Sequence, residues 1–229
     1  MEIIDLSQEI YDGMPVYKGL PEVKIQVHAT HEEWAGEDES AGKTPSVYRL
    51  EMGEHTGSHV DALNHMTKEN SGISIDSMPL RTFYNKAICL DLRHKGLKEL
   101  IEPGDLEEAL RKSGQKIVPG SIVLICTGHY AKYFHTENWI NGPGLSAAAT
   151  HWLADREIVS FGVETMAPGV SGVSNKEVHR ICGDRKFTHY ENLINLELLL
   201  GRGTFQFIGL PLKLRGGTGS PVRAIAVFD

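Results

Sequence analysis

Glu54-His55-Thr56-Gly57-Ser58-His59-Val60-Asp61-Ala62-Leu63-Asn64-His65 gathers three of the chain's eleven histidines and one aspartate at odd-numbered positions. In an extended chain side chains alternate faces, so His55, Gly57, His59, Asp61 and His65 share one side as the strand ends. His59 and Asp61 then stand about 6–7 Å apart at Cα, within reach of one ion, whereas His55 would lie about 13 Å from His59 in a straight strand. The chain must bend between them, and Gly57 is the residue that permits a bend or bulge and a close backbone approach to an ion. A helix would also bring positions four apart together, but Gly57 with β-branched Thr56 and Val60 weakens that alternative. Two imidazoles and a carboxylate form a mixed donor set suited to Zn²⁺ or Mn²⁺, and three protein ligands leave positions open for water and substrate. The bland alternative is a group of core or surface histidines that happen to be neighbours; Asp61 and His65 beside the pair favour the metal.

Outward from this run, the chain alternates strand and helix signals. Val23 to Val27 and Val47 to Met52 carry alternating or β-rich patterns, and Ala87 to Leu92 and Ile122 to Cys126 are short apolar runs bounded by turn residues. Between these, Asp105 followed by Glu108 resembles a capping box opening a short helix that Gly114 closes. Pro143, Gly144 and Ser146 precede the alanine-rich stretch Ala147 to Ala154, which suits a helix, and Ile158 to Val163 reads as a further strand. Leu196 to Leu200 is apolar and ambiguous. Phe205 to Leu210 and Arg223 to Phe228 are strand candidates flanking the turn Gly216-Gly217-Thr218-Gly219. With no repeat and no linker, the pattern predicts one α/β domain over residues 1–229.

With 229 residues, 41% of them hydrophobic, the chain can bury a sizeable core. Its formal charge of −7 is spread along the sequence with no basic stripe, which argues against nucleic acid as a partner. Cys89, Cys126 and Cys182 are too few and scattered for a disulfide framework, so a reducing, cytoplasmic setting is expected. Met1-Glu2-Ile3-Ile4-Asp5 does not read as a signal peptide, and no apolar run approaches the roughly 20 residues of a membrane span. Glu32 to Gly42, acidic and rich in small residues, reads as a solvated loop; the functional alternative makes it a lid with Trp34 as an aromatic wall for substrate.

The histidine run resembles the cyclase family signature His-x-Gly-Thr-His-x-Asp-x-Pro-x-His, the family of bacterial kynurenine formamidases and isatin hydrolase. His55, Gly57, His59, Asp61 and His65 agree with it, Ser58 replaces threonine but retains the hydroxyl, and Leu63 replaces proline. Asp5-Leu6-Ser7 with Gly13-Met14-Pro15 is similar to the family's opening, Pro143-Gly144-Leu145-Ser146 to its middle, and Pro211-Leu212-Lys213 with Gly216 through Ala224 to its closing segment. The resemblance implies a swivelling β/β/α, cyclase-like fold with a mixed sheet, assembled as a homo-oligomer, a dimer or tetramer. It also implies a second ion held by His179 and Glu191 with Asp61 bridging, so that one or two divalent ions bind per chain; His189 competes for that role. Glu164 and Ala167 depart from the family's Gly-x-Asp followed by serine, and Glu164 either lines the site or caps a turn. Arg223 reads as an inter-chain contact or a partner for a substrate carboxylate.

These readings converge on a metal-dependent hydrolase of an amide or cyclic amide, an arylformamide or isatin-like small molecule. Metal-activated water attacks the carbonyl while His65 carries the proton, since an imidazole titrates near 6.5. No serine or cysteine motif competes: Ser174 and Ser220 lack a nucleophile-elbow context, and the glycine-rich turn lacks the lysine of a phosphate loop. A lactonase, cyclic-imide hydrolase or dehydratase on the same residues is the near alternative, and a metal-binding protein without catalysis the distant one.

Overall fold

The computed structural model describes residues 1–36 and 43–228. In chain order its elements are β1 (Glu2–Asp5), β2 (Lys24–Ala29), α1 (His31–Ala35), β3 (Val47–Glu51), β4 (His59–Asp61), α2 (Leu63–Met66), β5 (Tyr84–Asp91) and β6 (Leu100–Ile101). There follow α3 (Pro103–Ser113), β7 (Ile122–Cys126), α4 (His129–Tyr133), β8 (Gly144–Leu145), α5 (Ala147–Ala154), β9 (Ser160–Val163) and α6 (Asn175–Arg185). The last are β10 (Thr188–Glu191), β11 (Phe205–Ile208), β12 (Gly219–Pro221) and β13 (Ile225–Phe228).

Nine strands form one mixed sheet in the order β1-β13-β11-β5-β7-β9-β10-β4-β12, which curls into a half-barrel. The middle, β5-β7-β9-β10, is parallel; every other pairing is antiparallel. Strands buried on both faces need apolar side chains at every position. Accordingly Ala87 and Cys89 of β5 enter one core while Ile88 and Leu90 enter the other. The second core is closed by α3, α5 and α6 through Leu106, Ala149, Leu153, Val178 and Cys182. The first is closed by the outer strands and loops through Leu6, Val60, Phe83, Tyr190 and Phe207. Each fully buried side chain of Leu or Phe size contributes about 1.5–3 kcal/mol, so the two cores fix the sheet that carries the site.

The mixed α/β expectation matches this architecture. Ile122–Cys126 and Ala147–Ala154 form where the sequence predicts them, the latter capped by the Ser146 side chain accepting from Ala149 N. The start of α3 differs: Glu102 is the N-cap and Asp105 the third helical residue, each side chain accepting from the other's backbone N–H, while Gly114 ends the helix at φ 65°. Pro103 at the first helical position explains the displacement, because its fixed φ suits that position. Leu196–Leu199 is a 3₁₀ turn, and the glycine-rich turn runs directly into β12. Of the acidic segment, residues 37–42 lie outside the described residues, and Glu32, Glu33 and Trp34 belong to α1, capped by Thr30. No helix of the described residues is long and apolar enough to cross a membrane.

Candidate metal centre

β4 and β10 lie side by side, antiparallel, with Glu191 opposite His59 and Tyr190 opposite Val60. The same register sets His189 against Asp61. Period-two alternation therefore directs Val60 and Tyr190 into the core and presents His59, Asp61, His189 and Glu191 as a square on the other face. His189 Nε2 stands 3.1 Å from Asp61 Oδ2 and 3.4 Å from Glu191 Oε1, and His59 Nε2 stands 3.5 Å from Asp61 Oδ1 and 3.4 Å from Glu191 Oε2.

Three more imidazoles reach this square from outside the strands. Gly57, at φ 60°, makes the bend, and the chain before it returns His55 with Nδ1 2.7 Å from Asp61 Oδ1. Asp61 ends β4, and the next turn, α2, carries His65 back with Nε2 3.7 Å from Asp61 Oδ2. Helix α6 supplies His179, whose Nε2 is 3.5 Å from the same oxygen. Thus His65 shares the site through a helical turn rather than through a continued strand. Leu63, where the signature has proline, is the first residue of α2, a position that tolerates either, and its buried side chain joins the core.

The surrounding hydrogen bonds orient the rings. His59 Nδ1 donates to Gly57 O at 2.9 Å and His179 Nδ1 to Asn175 O at 2.8 Å, which leaves Nε2 of each as a lone pair facing the carboxylates. Thr218 Oγ1 donates to Glu54 Oε2, so it accepts from His55 Nε2 at 3.1 Å and leaves His55 Nδ1 as the lone pair beside Asp61. A side chain at residue 219 would collide with this ring: a Cβ on Gly219 would lie 2.7 Å from His55 Cε1. The Ser58 hydroxyl donates to Asn192 O at 2.6 Å and accepts from Gln8 N at 2.7 Å, fastening β4 to the residue after β10. Any hydroxyl at position 58 can do this, which accounts for serine in place of threonine.

Electrostatics favour ionised carboxylates here. Burial opposes the charge on Asp61, but the imidazoles around it, His189 foremost, hold its carboxyl well below the usual range. Glu191 is likewise opposed by burial yet brought down to about 2 by His189 and His59. Burial pushes His65 below its ordinary value, with the neighbouring imidazoles adding to the effect and Asp61 opposing it.

The residues fit a divalent cation on two counts. Four donors at about 2.0–2.1 Å from one ion are separated by about 3.3–3.5 Å, the spacing found among His59, His179, His189, Asp61 and Glu191. His189 is fully buried with Nε2 turned between the carboxylates of Asp61 and Glu191, the placement of a ring that shares a cation with them. The donor atoms form two groups sharing Asp61, one with His55 and His65 and one with His179, His189 and Glu191.

A cavity of about 300 Å³ opens onto the cluster, walled by the loop Pro15 to Leu20 and by Met166, Asn175 and Asn192. Of those wall residues only Pro15 belongs to a segment the sequence singles out, Gly13-Met14-Pro15; the others carry no motif. Trp34 is outside this wall and 54% exposed. Glu164 is outside it too: its carboxylate turns back to accept from Thr127 N, Thr127 Oγ1 and Gly128 N, the geometry of the turn-capping alternative. Arg223 pairs with Asp5 within the chain.

Fold and site together define an α/β protein with a carboxylate-centred polyhistidine cluster of metal-binding type at the floor of a small cleft. The Cyclase family model, "Putative cyclase", matches residues 4–170, and the chain belongs to that family. It is 28% identical over 226 residues to the kynurenine formamidase of Polaromonas naphthalenivorans, covering 98% of this chain and 90% of that one. It is 23% identical over 247 residues to the isatin hydrolase of Roseibium aggregatum, covering 99% and 92%. Isatin hydrolase A from Ralstonia solanacearum superimposes with a TM-score of 0.84 at 24% identity, over 100% of this chain and 92% of that chain, and so shares the fold.

Proposed function

We propose that this protein is a metal-dependent hydrolase of an amide or cyclic amide, with Zn²⁺ or Mn²⁺ at one or two positions. The observation that carries the reading is the convergence of five imidazoles and a second carboxylate around the buried Asp61. His55, His59 and Asp61 would hold the first ion, and His179, Glu191 and His189, with Asp61, the second; His65, which also faces Asp61 but at 3.7 Å, is left for the proton. When bound, such an ion polarises a carbonyl and acidifies water. Asp61 and Glu191 supply fixed negative charge that retains it, and the backbone carbonyls of Gly57 and Asn175 keep the rings aimed. His65 is the most exposed imidazole of the cluster, with its side chain 36% accessible, and its partial burial with the imidazoles beside it presses it below its ordinary value. It is therefore placed to take a proton at Nε2 and return it to the leaving nitrogen. The cleft volume suits a compact aromatic amide, and the likeness to a kynurenine formamidase and an isatin hydrolase supports that class.

The test is metal analysis of protein purified without chelators, paired with hydrolysis assays on N-formylkynurenine, isatin and their lactone and imide counterparts. Hydrolysis of an amide that a chelator abolishes and Zn²⁺ or Mn²⁺ restores is the expected result. Full turnover by the chelated protein, or by Asp61→Ala, overturns the assignment.

The same chain is proposed to act as a homo-oligomer over residues 1–229. Supporting this, Val27 of β2 and Tyr48 and Leu50 of β3 are exposed on a two-stranded ribbon, a pairing that is marginal when isolated in water. Light scattering at several concentrations reads the state directly, and a monomer throughout would reject it.

A further inference from the structure

We infer that a second cation site, unrelated to the cleft, lies at Cys126, Glu164 and Glu197 and takes a thiophilic divalent ion such as Zn²⁺. One donor atom from each of these residues lies within 4.8 Å of the others. Cys126 ends β7 and Glu164 follows the last residue of β9, so both stand at the carboxyl ends of adjacent parallel strands, where open α/β sheets place their ligands. Glu197 comes from the 3₁₀ turn Leu196–Leu199, and it is the exposed member.

Glu164 supplies the independent observation. It is fully buried, and its Oε2 is saturated by three donors from Thr127 and Gly128. Its Oε1 is also buried and has no hydrogen-bond partner, while the nearby Glu197 raises the cost of its charge. A carboxylate oxygen in that position must take either a proton or a cation, since the group cannot remain ionised and unpaired in a dry interior. The neighbouring thiol and second carboxylate make the cation the better occupant: S and O donors together suit Zn²⁺, and Glu197 leaves an exposed side for its entry. Asp91, Arg93 and Cys89 line a surface cavity on this side of the sheet; Arg93 lies near enough to feel the charges of Cys126 and Glu197, but two of its donors are committed to Asp91. On binding, the Cys126 thiol yields its proton to solvent and a metal–sulfur bond replaces the S–H bond, so affinity rises with pH.

The test is titration of the full-length protein with Co²⁺ and, separately, Zn²⁺. Wild type should show a thiolate-to-cobalt charge-transfer band that is absent in Cys126→Ser, weakened in Glu197→Gln and retained in Asp61→Asn. The Zn²⁺ content should fall by one equivalent in Cys126→Ser and by a fraction of one in Glu197→Gln, while hydrolysis at the cleft is unchanged in Glu197→Gln, whose exposed position spares the fold. A band that survives Cys126→Ser, or no band together with an unchanged Zn²⁺ content in Glu197→Gln, overturns the site and leaves a proton shared between the carboxyl groups. Loss of cleft activity in Asp61→Asn with the thiolate band intact separates this site from the proposed hydrolase centre.

Discussion

Two antiparallel strand pairs in this molecule use the same backbone ladder for opposite ends. In β4–β10 every residue is buried, and the side chains turned toward the cleft are two histidines, an aspartate and a glutamate. In β2–β3 every β3 residue is exposed, and the outward side chains include Tyr48 and Leu50. Polar groups inside and large apolar groups outside invert the usual distribution, and both inversions mark places where something other than the chain's own stability has shaped the sequence. The inner pair can tolerate its charges because each carboxylate is surrounded by imidazoles, of which His55, His59 and His179 are fixed by further hydrogen bonds. The ribbon needs no such support, since none of its residues is fully buried.

The contrast is sharpest on removing the shared carboxylate: Asp61→Ala should lose bound metal and reduce hydrolysis to background, measured by metal content and turnover. His65→Ala should keep its metal but lower kcat by about 10²–10⁴-fold, the usual worth of a positioned proton carrier; unchanged turnover would remove His65 from the chemistry. Next comes Glu164, raised by burial to about 7 from an ordinary 4.5 despite its three donors. Its protonated form is favoured in the folded state, so that stability is complete below about pH 4.5 and is lost as pH rises toward 7, by about 3 kcal/mol in metal-free protein. Denaturant midpoints across this range should fall for wild type and stay flat for Glu164→Gln. Gly57→Ala forces a side chain into φ 60° and against Ile10 Cγ1 at 3.2 Å, and should cost about 1–3 kcal/mol with weakened metal binding. At the small end, Leu50→Ser should change monomer stability by no more than about 0.5 kcal/mol while shifting the proposed oligomer toward monomer. A large loss of stability there would show that the ribbon is part of the monomer's own fold.

Much of the inner pair is legible in the sequence because period two is a strong constraint. His59 and Asp61 share a face for that reason alone, and His189 and Glu191 obey the same rule two residues apart, a signal that marks His189 beside the Glu191 implied by the family resemblance. The bend at Gly57 follows from the distance His55 must cover. What the sequence does not show is which strands become neighbours: nothing local pairs residue 59 with residue 191, and the cleft wall from Pro15 to Leu20 arrives through tertiary packing. Glu164 illustrates the limit differently. Its strand-end position suits either a ligand-facing or a turn-capping role, and the donors it meets at Thr127 and Gly128 come from a neighbouring strand end that nothing local in the sequence brings to it.

His55 is steadied by Thr218, 163 positions downstream, and Gly219 leaves room for its ring. A chain emerging from the ribosome therefore has every donor of the cluster synthesised before it has the strand that restrains His55. Full assembly waits for Thr218 and Gly219, so a nascent chain stopped short of Thr218 should hold a divalent ion more loosely than one that includes them, a difference that chelator competition on arrested chains would expose.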